Sequence, residues 1–197
     1  MWLPCGRKRT LLILCFLLSI SRHYATGASI NSNTATINLS ATLGSSLTVS
    51  TGSPTIHFTL TNGATSNGDA SAPITTSWVL LSTNSSVKLY AYFSSSTSAL
   101  SDAASDLIPS SDVLGSVTST GGSSASPTTS LTAFSQTGPS GFGIAGSSLL
   151  LDTYTITSAN FVNLSGVIDT LSLAIATPST LPAGVYSGVI TIEAQAN

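Results

Sequence analysis

Charged side chains are scarce in this sequence, and the positive ones lie almost entirely at its beginning. Five of the 197 residues are Lys or Arg and seven are Asp or Glu. Four of the five cations precede residue 28, and beyond that point only Lys88 remains. A protein surface with a single lysine cannot neutralise a run of phosphates, which argues against nucleic acid as a partner.

Cysteine and histidine are equally rare, and this limits the chemistry open to the chain. Cys5, Cys15 and His23 precede residue 28, so the remainder has no cysteine and one histidine, His57. Without cysteine it can form neither a disulfide nor a thiolate metal site, and one histidine cannot supply the several ligands of a zinc site. A serine triad would need His57, but this residue stands among threonines in a strand pattern and is predicted to be an ordinary exposed residue. We therefore expect no metal and no cofactor.

The first 27 residues have the organisation of a secretory signal peptide. Basic residues at 7–9 precede an apolar run at 11–20, and small residues suited to cleavage follow at 25–28. The apolar run is shorter than the roughly 20 residues that span a bilayer, although an uncleaved anchor is the alternative. We predict a secreted protein (extracellular, on the cell surface or in the periplasm) with one domain at 28–197 and no membrane association after cleavage. One cation and seven acids would give this mature chain a formal charge of −6.

Serine and threonine make up roughly a third of the chain. Apolar residues recur between them with the period of two that is typical of half-buried strands. The alternation is clearest over residues 34–43, and it returns in the final stretch, 181–197. About eight to ten short strands separated by turns are expected, without alternating helices. This pattern predicts an all-β fold, an immunoglobulin-like antiparallel β-sandwich.

Three more specific expectations concern particular stretches. Residues 74–81 and 87–94 read as a hairpin or as neighbouring strands, because only a short polar connector separates them. Residues 98–108 fit either one or two helical turns or a loop. The final strand is expected to pair with the alternating segment 34–43, either of its own chain or of another chain.

Carboxylates are the remaining groups with catalytic potential. Paired carboxylates could hydrolyse glycosides, but we expect the aspartates to be solvated residues of loops and caps. Residues 62–69 offer oxygens to calcium and lack the carboxylate density of a calcium loop. The glycines of 141–146 match a dinucleotide-binding motif by letter, yet a strand-like run follows them where the motif needs a helix. No catalytic residue is therefore assigned. The aspartates considered for a hydrolytic pair are Asp102, Asp106, Asp112, Asp152 and Asp169.

A surface for a ligand or partner is predicted on the strand at 87–94. Lys88, Tyr90 and Tyr92 alternate with apolar residues there and would share the face directed away from the core. Exposed tyrosines on a sheet can stack on sugars or fill a groove of a partner protein. The alternative is that they pack across strands beneath a long loop.

The two ends of the predicted domain read ATINLSATLGSSLTVS over 35–50 and LPAGVYSGVITI over 181–192. These stretches resemble the ends of bacterial fimbrial and spore-coat-U-type secreted proteins. Gly184 also stands fourteenth from the C-terminus, where chaperone-dependent pilins often carry a glycine. The resemblance implies an immunoglobulin-like sandwich and surface assembly in which one chain donates a strand to the next. The sequence departs from the family at Ala196, where an aromatic residue is usual, and in having no cysteine in its first strands.

These observations predict a secreted, non-enzymatic surface or extracellular structural protein. It would associate with itself or with other surface proteins by strand addition. A sandwich that lacks a strand exposes core and unpaired backbone, and an extended alternating segment can cover both. The alternative function is an extracellular ligand- or carbohydrate-binding module that uses the face of Lys88, Tyr90 and Tyr92.

Overall fold

The computed structural model describes residues 36–52 and 55–197. The chain divides into two compact units, Met1–Ala41 and Thr42–Asn197. Of the first unit the structure describes residues 36–41, which are exposed and form neither helix nor strand.

The predicted signal peptide, residues 1–27, lies outside the described residues, as does the predicted domain boundary at residue 28. Both stay predictions.

The second unit is built almost entirely of strands, as the alternation of apolar and hydroxyl-bearing residues predicts. Among the described residues the strands are β1 (Ser46–Thr51), β2 (Thr65–Val79), β3 (Ser86–Tyr92), β4 (Leu100–Ser101), β5 (Leu107–Ile108), β6 (Val113–Ser119), β7 (Thr132–Ala133), β8 (Ser148–Thr155), β9 (Val162–Ala176) and β10 (Thr191–Ala196). Five antiparallel strands form the larger sheet in the spatial order β1, β2, β9, β6, β7, and three form the smaller sheet in the order β10, β3, β8. The short strands β4 and β5 form a separate two-stranded sheet.

The core lies between the two sheets and takes one face of each. Leu89 of β3 and Leu149 of β8 are fully buried and belong to the same cluster as Ile74 of β2 and Leu171 of β9. Burial of apolar area contributes about 25 cal/mol per Å², so this shared face is what holds the sheets together. The predicted all-β sandwich is therefore confirmed, with ten strands in the described part of the chain.

A second part of the core surrounds Trp78. The indole ring lies 5.4 Å from the ring of Tyr154, and its N–H donates to the carbonyl of Asn160 at 2.8 Å. Leu80 is buried in the same cluster. Trp78 and Leu80 therefore supply bulk to this part of the core.

The outer edge of β8 is covered by the loop that follows β6. Within this loop, the amides of Ser126 and Thr128 donate to the carbonyls of Thr153 and Leu151. The Thr128 hydroxyl also donates to the carbonyl of Leu150 at 2.8 Å. Backbone groups on this edge of β8 are thereby paired within the chain.

The expected neighbouring strands at 74–81 and 87–94 are not neighbours. The first falls in β2, which pairs with β1 and β9, and the second falls in β3, which pairs with β10 and β8. The connector carries the chain from one sheet to the other. Both strands bury one face in the common core, and alternation alone cannot distinguish strands in one sheet from strands that face each other.

The helical alternative for residues 98–108 is wrong. The short strands β4 and β5 pair there, with Leu100 opposite Ile108. The turn between them is fixed by Asp102, whose carboxylate accepts from the amides of Ala104 and Asp106 at 2.9 Å each. Asp side chains favour such local bonds to turn backbone over a helix interior.

The pairing expected for the final strand is not formed within the described chain, and its pairing with segment 34–43 of another chain stays a prediction. β10 begins at Thr191 and pairs with β3, whereas residues 36–45 belong to no strand. The remainder of the predicted segment, residues 34 and 35, lies outside the described residues.

Phe134 offers a direct test of the packing. Its ring is fully buried and meets Phe93 edge-on at 5.1 Å. Phe134→Ala should lower the free energy of unfolding by about 3–5 kcal/mol, because it removes buried area and leaves a cavity. Urea denaturation measures the change, and the exposed Leu131 gives the matched control, since Leu131→Ala should cost less than about 0.5 kcal/mol. Equal costs for the two variants would contradict this core.

Candidate functional site

On one side of the sandwich each sheet ends in an edge strand, and the two edge strands lie next to each other. β1 is the last strand of the larger sheet and β10 the last strand of the smaller one, and the two approach each other. Among the described residues no strand lies between them. This side differs from the β8 side, where a loop covers the edge.

In β10, the backbone N–H and C=O groups of every second residue make no hydrogen bond to β3. Asn197 and Ser86 exchange two hydrogen bonds, at 2.9 and 3.1 Å. Since bonded residues alternate along an antiparallel ladder, the N–H and C=O groups of Ile192, Ala194 and Ala196 point away from β3. Their direction is toward the free side of the smaller sheet.

The side chains along both edges are apolar and only half-buried. Each packs against the core on one side and keeps part of its surface exposed, as expected for the lining of an incomplete sandwich. On the β1 side these are Leu47 and Val49, with Ile56, Phe58 and Leu60 farther along the chain; on the β10 side they are Tyr186, Ile190, Ile192, Ala194 and Ala196.

Residues 36–43 present the complementary feature. Every second side chain is apolar, yet Ile37 is 83% exposed, Leu39 91% and Leu43 78%. Isolated exposed apolar residues are ordinary. Ile37, Leu39 and Leu43, however, are separated from one another by even numbers of residues, so in an extended strand all three side chains would lie on the same face. The segment thus has the pattern of a strand that has not joined a sheet.

The predicted face of Lys88, Tyr90 and Tyr92 is covered in part, since Tyr90 is buried while Lys88 and Tyr92 are half-buried. Tyr90 is buried beneath Phe142 of the glycine-rich loop, with the rings 5.5 Å apart. Tyr92 also contacts this ring and donates its hydroxyl to Glu193 of β10 at 2.9 Å. Burial, followed by the Glu193 charge and bond, raises the pKa of Tyr92. Packing beneath a loop is thus the arrangement found for Tyr90, and ligand binding by the rest of this face stays a prediction.

An open groove of about 490 Å³ lies on the outer face of the larger sheet. It forms where the pairing of β2 with β9 is interrupted between Asn67 and Ser71. His57, as predicted, is exposed, and its backbone N–H donates to Asp69 at 2.8 Å beside the groove. None of the residues that line the groove is aromatic, so it lacks the stacking surface that sugars favour.

The expectation that the aspartates are solvated is wrong for two of them. Asp152 of β8 and Asp169 of β9 are completely buried. Their carboxyl groups lie within hydrogen-bonding reach of one another. One oxygen of Asp152 accepts from the amides of Ser126 and Thr153, at 2.8 and 2.6 Å, and one oxygen of Asp169 accepts from the hydroxyl of Tyr154.

A bulge in β8 brings Asp152 into the core. Pairing with β3 shifts between Leu89 and Tyr90, so that Asp152 stands opposite Leu89 while Leu150 stands opposite Tyr90. The extra residue, Leu151, is itself fully buried. A bulge of this kind turns the following side chains to the other face, and regular alternation with Leu149 and Leu151 would have directed Asp152 outward.

The surroundings of Asp169 favour its neutral form. Burial raises its pKa to about 6, and the charge of Asp152 adds to the rise. The nearby Ser119 hydroxyl and the hydrogen bond from Tyr154 oppose it. Burial, together with the bond to Asp169, also raises the pKa of Tyr154, which keeps its hydroxyl protonated as the donor.

The two carboxylates converge as a hydrolase would need, but both residues are completely buried. Asp102 and Asp106 instead belong to the turn between β4 and β5. In the part of the chain that the structure describes, no group of three or more His, Cys, Asp or Glu could hold a metal ion. Residues 141–146 form turns and lead into β8, so no helix follows the glycines.

The comparisons with known proteins add no family assignment. A scan against protein-family models and searches of curated proteins and solved structures match nothing to this chain. The described residues contain no helix long and apolar enough to cross a membrane.

Tyr154→Phe tests whether the buried bond to Asp169 is needed. The variant removes one hydroxyl and leaves a second oxygen of a buried carboxyl without a partner. It should lower the free energy of unfolding by about 1–3 kcal/mol. Tyr92→Phe removes a comparable bond at the surface and should cost less than about 1 kcal/mol. Chemical denaturation at one pH measures both, and equal costs would contradict the assignment.

Proposed function

We propose that this chain is a secreted, non-enzymatic surface or extracellular structural protein that assembles by strand addition. The alternating segment 34–43 of one copy would occupy the free side between β1 and β10 of another. The observation that carries the proposal is that one chain has both an open, apolar sheet edge and an exposed strand-like segment. An immunoglobulin-like arrangement of the sandwich belongs to the same proposal.

The free side and the segment are complementary in chemistry. Outward N–H and C=O groups of Ile192, Ala194 and Ala196 offer a ladder to an added strand. The half-buried apolar side chains along β1 and β10 would receive Ile37, Leu39 and Leu43, which are exposed in the single chain. Each receiving contact would remove apolar area from water on both partners.

The lengths also agree. An extended chain rises about 3.3 Å per residue, so ten residues span about 33 Å. β10 has six residues, and half-buried apolar residues extend the edge back to Tyr186. The acceptor edge is therefore about as long as the segment.

A donor from a second copy is favoured over a donor from the same chain. Gly44-Ser45 could form the two-residue turn of a hairpin that folds the segment back along β1. In the structure residues 36–45 form no strand, and Ile37 and Leu39 keep most of their surface exposed. Another molecule could cover exposed apolar side chains of this kind.

Size-exclusion chromatography with light scattering tests the proposal on the mature chain, residues 28–197. The mature chain should form concentration-dependent oligomers, and deletion of residues 28–43 should give a folded monomer. Leu39→Asp should weaken assembly by at least about tenfold, since burying a leucine is worth about 1.5–3 kcal/mol and each 1.4 kcal/mol is a factor of ten.

Asn38→Asp is the matched control. It adds the same charge one residue away, on the other face of an extended segment, and should assemble like the parent. A stable monomer that unfolds when residues 28–43 are deleted would contradict the proposal, because the segment would then complete its own chain. Equal loss of assembly in both charged variants would contradict the assigned face.

A further inference from the structure

The buried aspartates leave two oxygens without a partner. Oδ1 of Asp152 accepts two backbone amides, and Oδ2 of Asp169 accepts from Tyr154. Oδ2 of Asp152 and Oδ1 of Asp169 remain, both buried and without any donor. A buried acceptor with no donor costs about 1–3 kcal/mol, and more when it is charged.

Two ionised carboxyl groups this close would also repel each other strongly in the core. A single proton removes both difficulties. It makes one carboxyl a donor to the other, so that the two partnerless oxygens become the two ends of one hydrogen bond.

Within the described ranges, no positive side chain relieves the repulsion instead. The strand partners of Asp169 are Ile74 on β2 and Ser119 on β6, and the partner of Asp152 on β3 is Leu89. The loop over β8 contributes the backbone amide of Ser126. Among the described residues, Tyr154 is the one other titratable group that faces the pair.

We propose that Asp152 and Asp169 form a proton-binding site that joins the two sheets. One proton lies between Oδ2 of Asp152 and Oδ1 of Asp169, on strands that belong to opposite sheets. When base removes this proton, the carboxyl O–H bond breaks, and two negative charges remain in the core. The site stabilises the sandwich in acidic solution and ceases to do so as the pH rises. This inference does not depend on strand addition.

The pH range follows from Asp169. Its pKa is about 6 in the fold, against a usual value of 3.8. Below about pH 4 both the folded and the unfolded chain hold the proton, and the contribution to stability is complete. Between pH 4 and 6 the unfolded chain releases the proton first, so this contribution falls as the pH rises. A difference of about two units corresponds to roughly a 100-fold change in the unfolding equilibrium constant.

Asp169→Asn tests the proposal in the mature protein. The amide can donate to Asp152 and accept from Tyr154, so it replaces the shared proton with a fixed hydrogen. Urea unfolding at pH 4 to 8 gives the unfolding constants of the parent and the variant. The unfolding constant of the parent divided by that of the variant should rise roughly 100-fold between pH 4 and 7, because only the parent loses the shared proton.

Asp112→Asn is the matched control, because this aspartate lies outside the core. The unfolding constant of the parent divided by that of Asp112→Asn should change by no more than about twofold over the same pH range. A pH-independent ratio for Asp169→Asn would overturn the proposal. Should this variant not fold, the side-chain carboxyl ¹³C shifts of the unaltered protein decide. One of the two buried carboxyl groups should titrate near pH 6, and titration of both near the ordinary value of about 4 would overturn it.

Calcium chloride and a chelator, added separately at pH 8, distinguish a proton from a cation. Neither should change the unfolding midpoint of the parent relative to Asp169→Asn. A midpoint that rises with calcium in the parent alone would overturn the shared proton in favour of a cation between the carboxylates.

Discussion

The outward backbone groups of β10 set the main constraint on this structure. Every second residue of that strand directs an N–H and a C=O away from the sheet, and half-buried apolar side chains flank them. Water can satisfy the backbone but not the side chains. An added strand satisfies both, which is why an open edge of this kind invites pairing with another chain.

The opposite edge of the smaller sheet shows the contrast. There the loop after β6 bonds to β8 and supplies the amide that fixes Asp152. The same region therefore closes an edge and holds one of the two buried carboxyl groups. The sheets are joined by apolar packing through most of the core and by a polar contact at Asp152, Tyr154 and Asp169.

Much of the fold could be predicted from the sequence, because alternation is a local signal. The inward faces at Val87, Leu89 and Ala91 and at Leu171 were predictable from spacing alone, as was the burial of Phe134. Sheet membership was not, since strands 74–81 and 87–94 bury equivalent faces in different sheets. Asp152 could not be placed either, because a single extra residue at Leu151 reverses the alternation. At 34–43 the pattern indicated a strand, but a strand forms only where a partner edge is present.

Hydrogen exchange at the amides of β10 tests the central claim most directly. The mature chain without residues 28–43 would be measured alone and with a synthetic peptide of residues 34–45. We expect the amides of Ile192, Ala194 and Ala196 to exchange quickly in the monomer and to become protected when the peptide binds. Amides that bond to β3, such as that of Glu193, should change far less. Protection that is unchanged by the peptide would contradict the account.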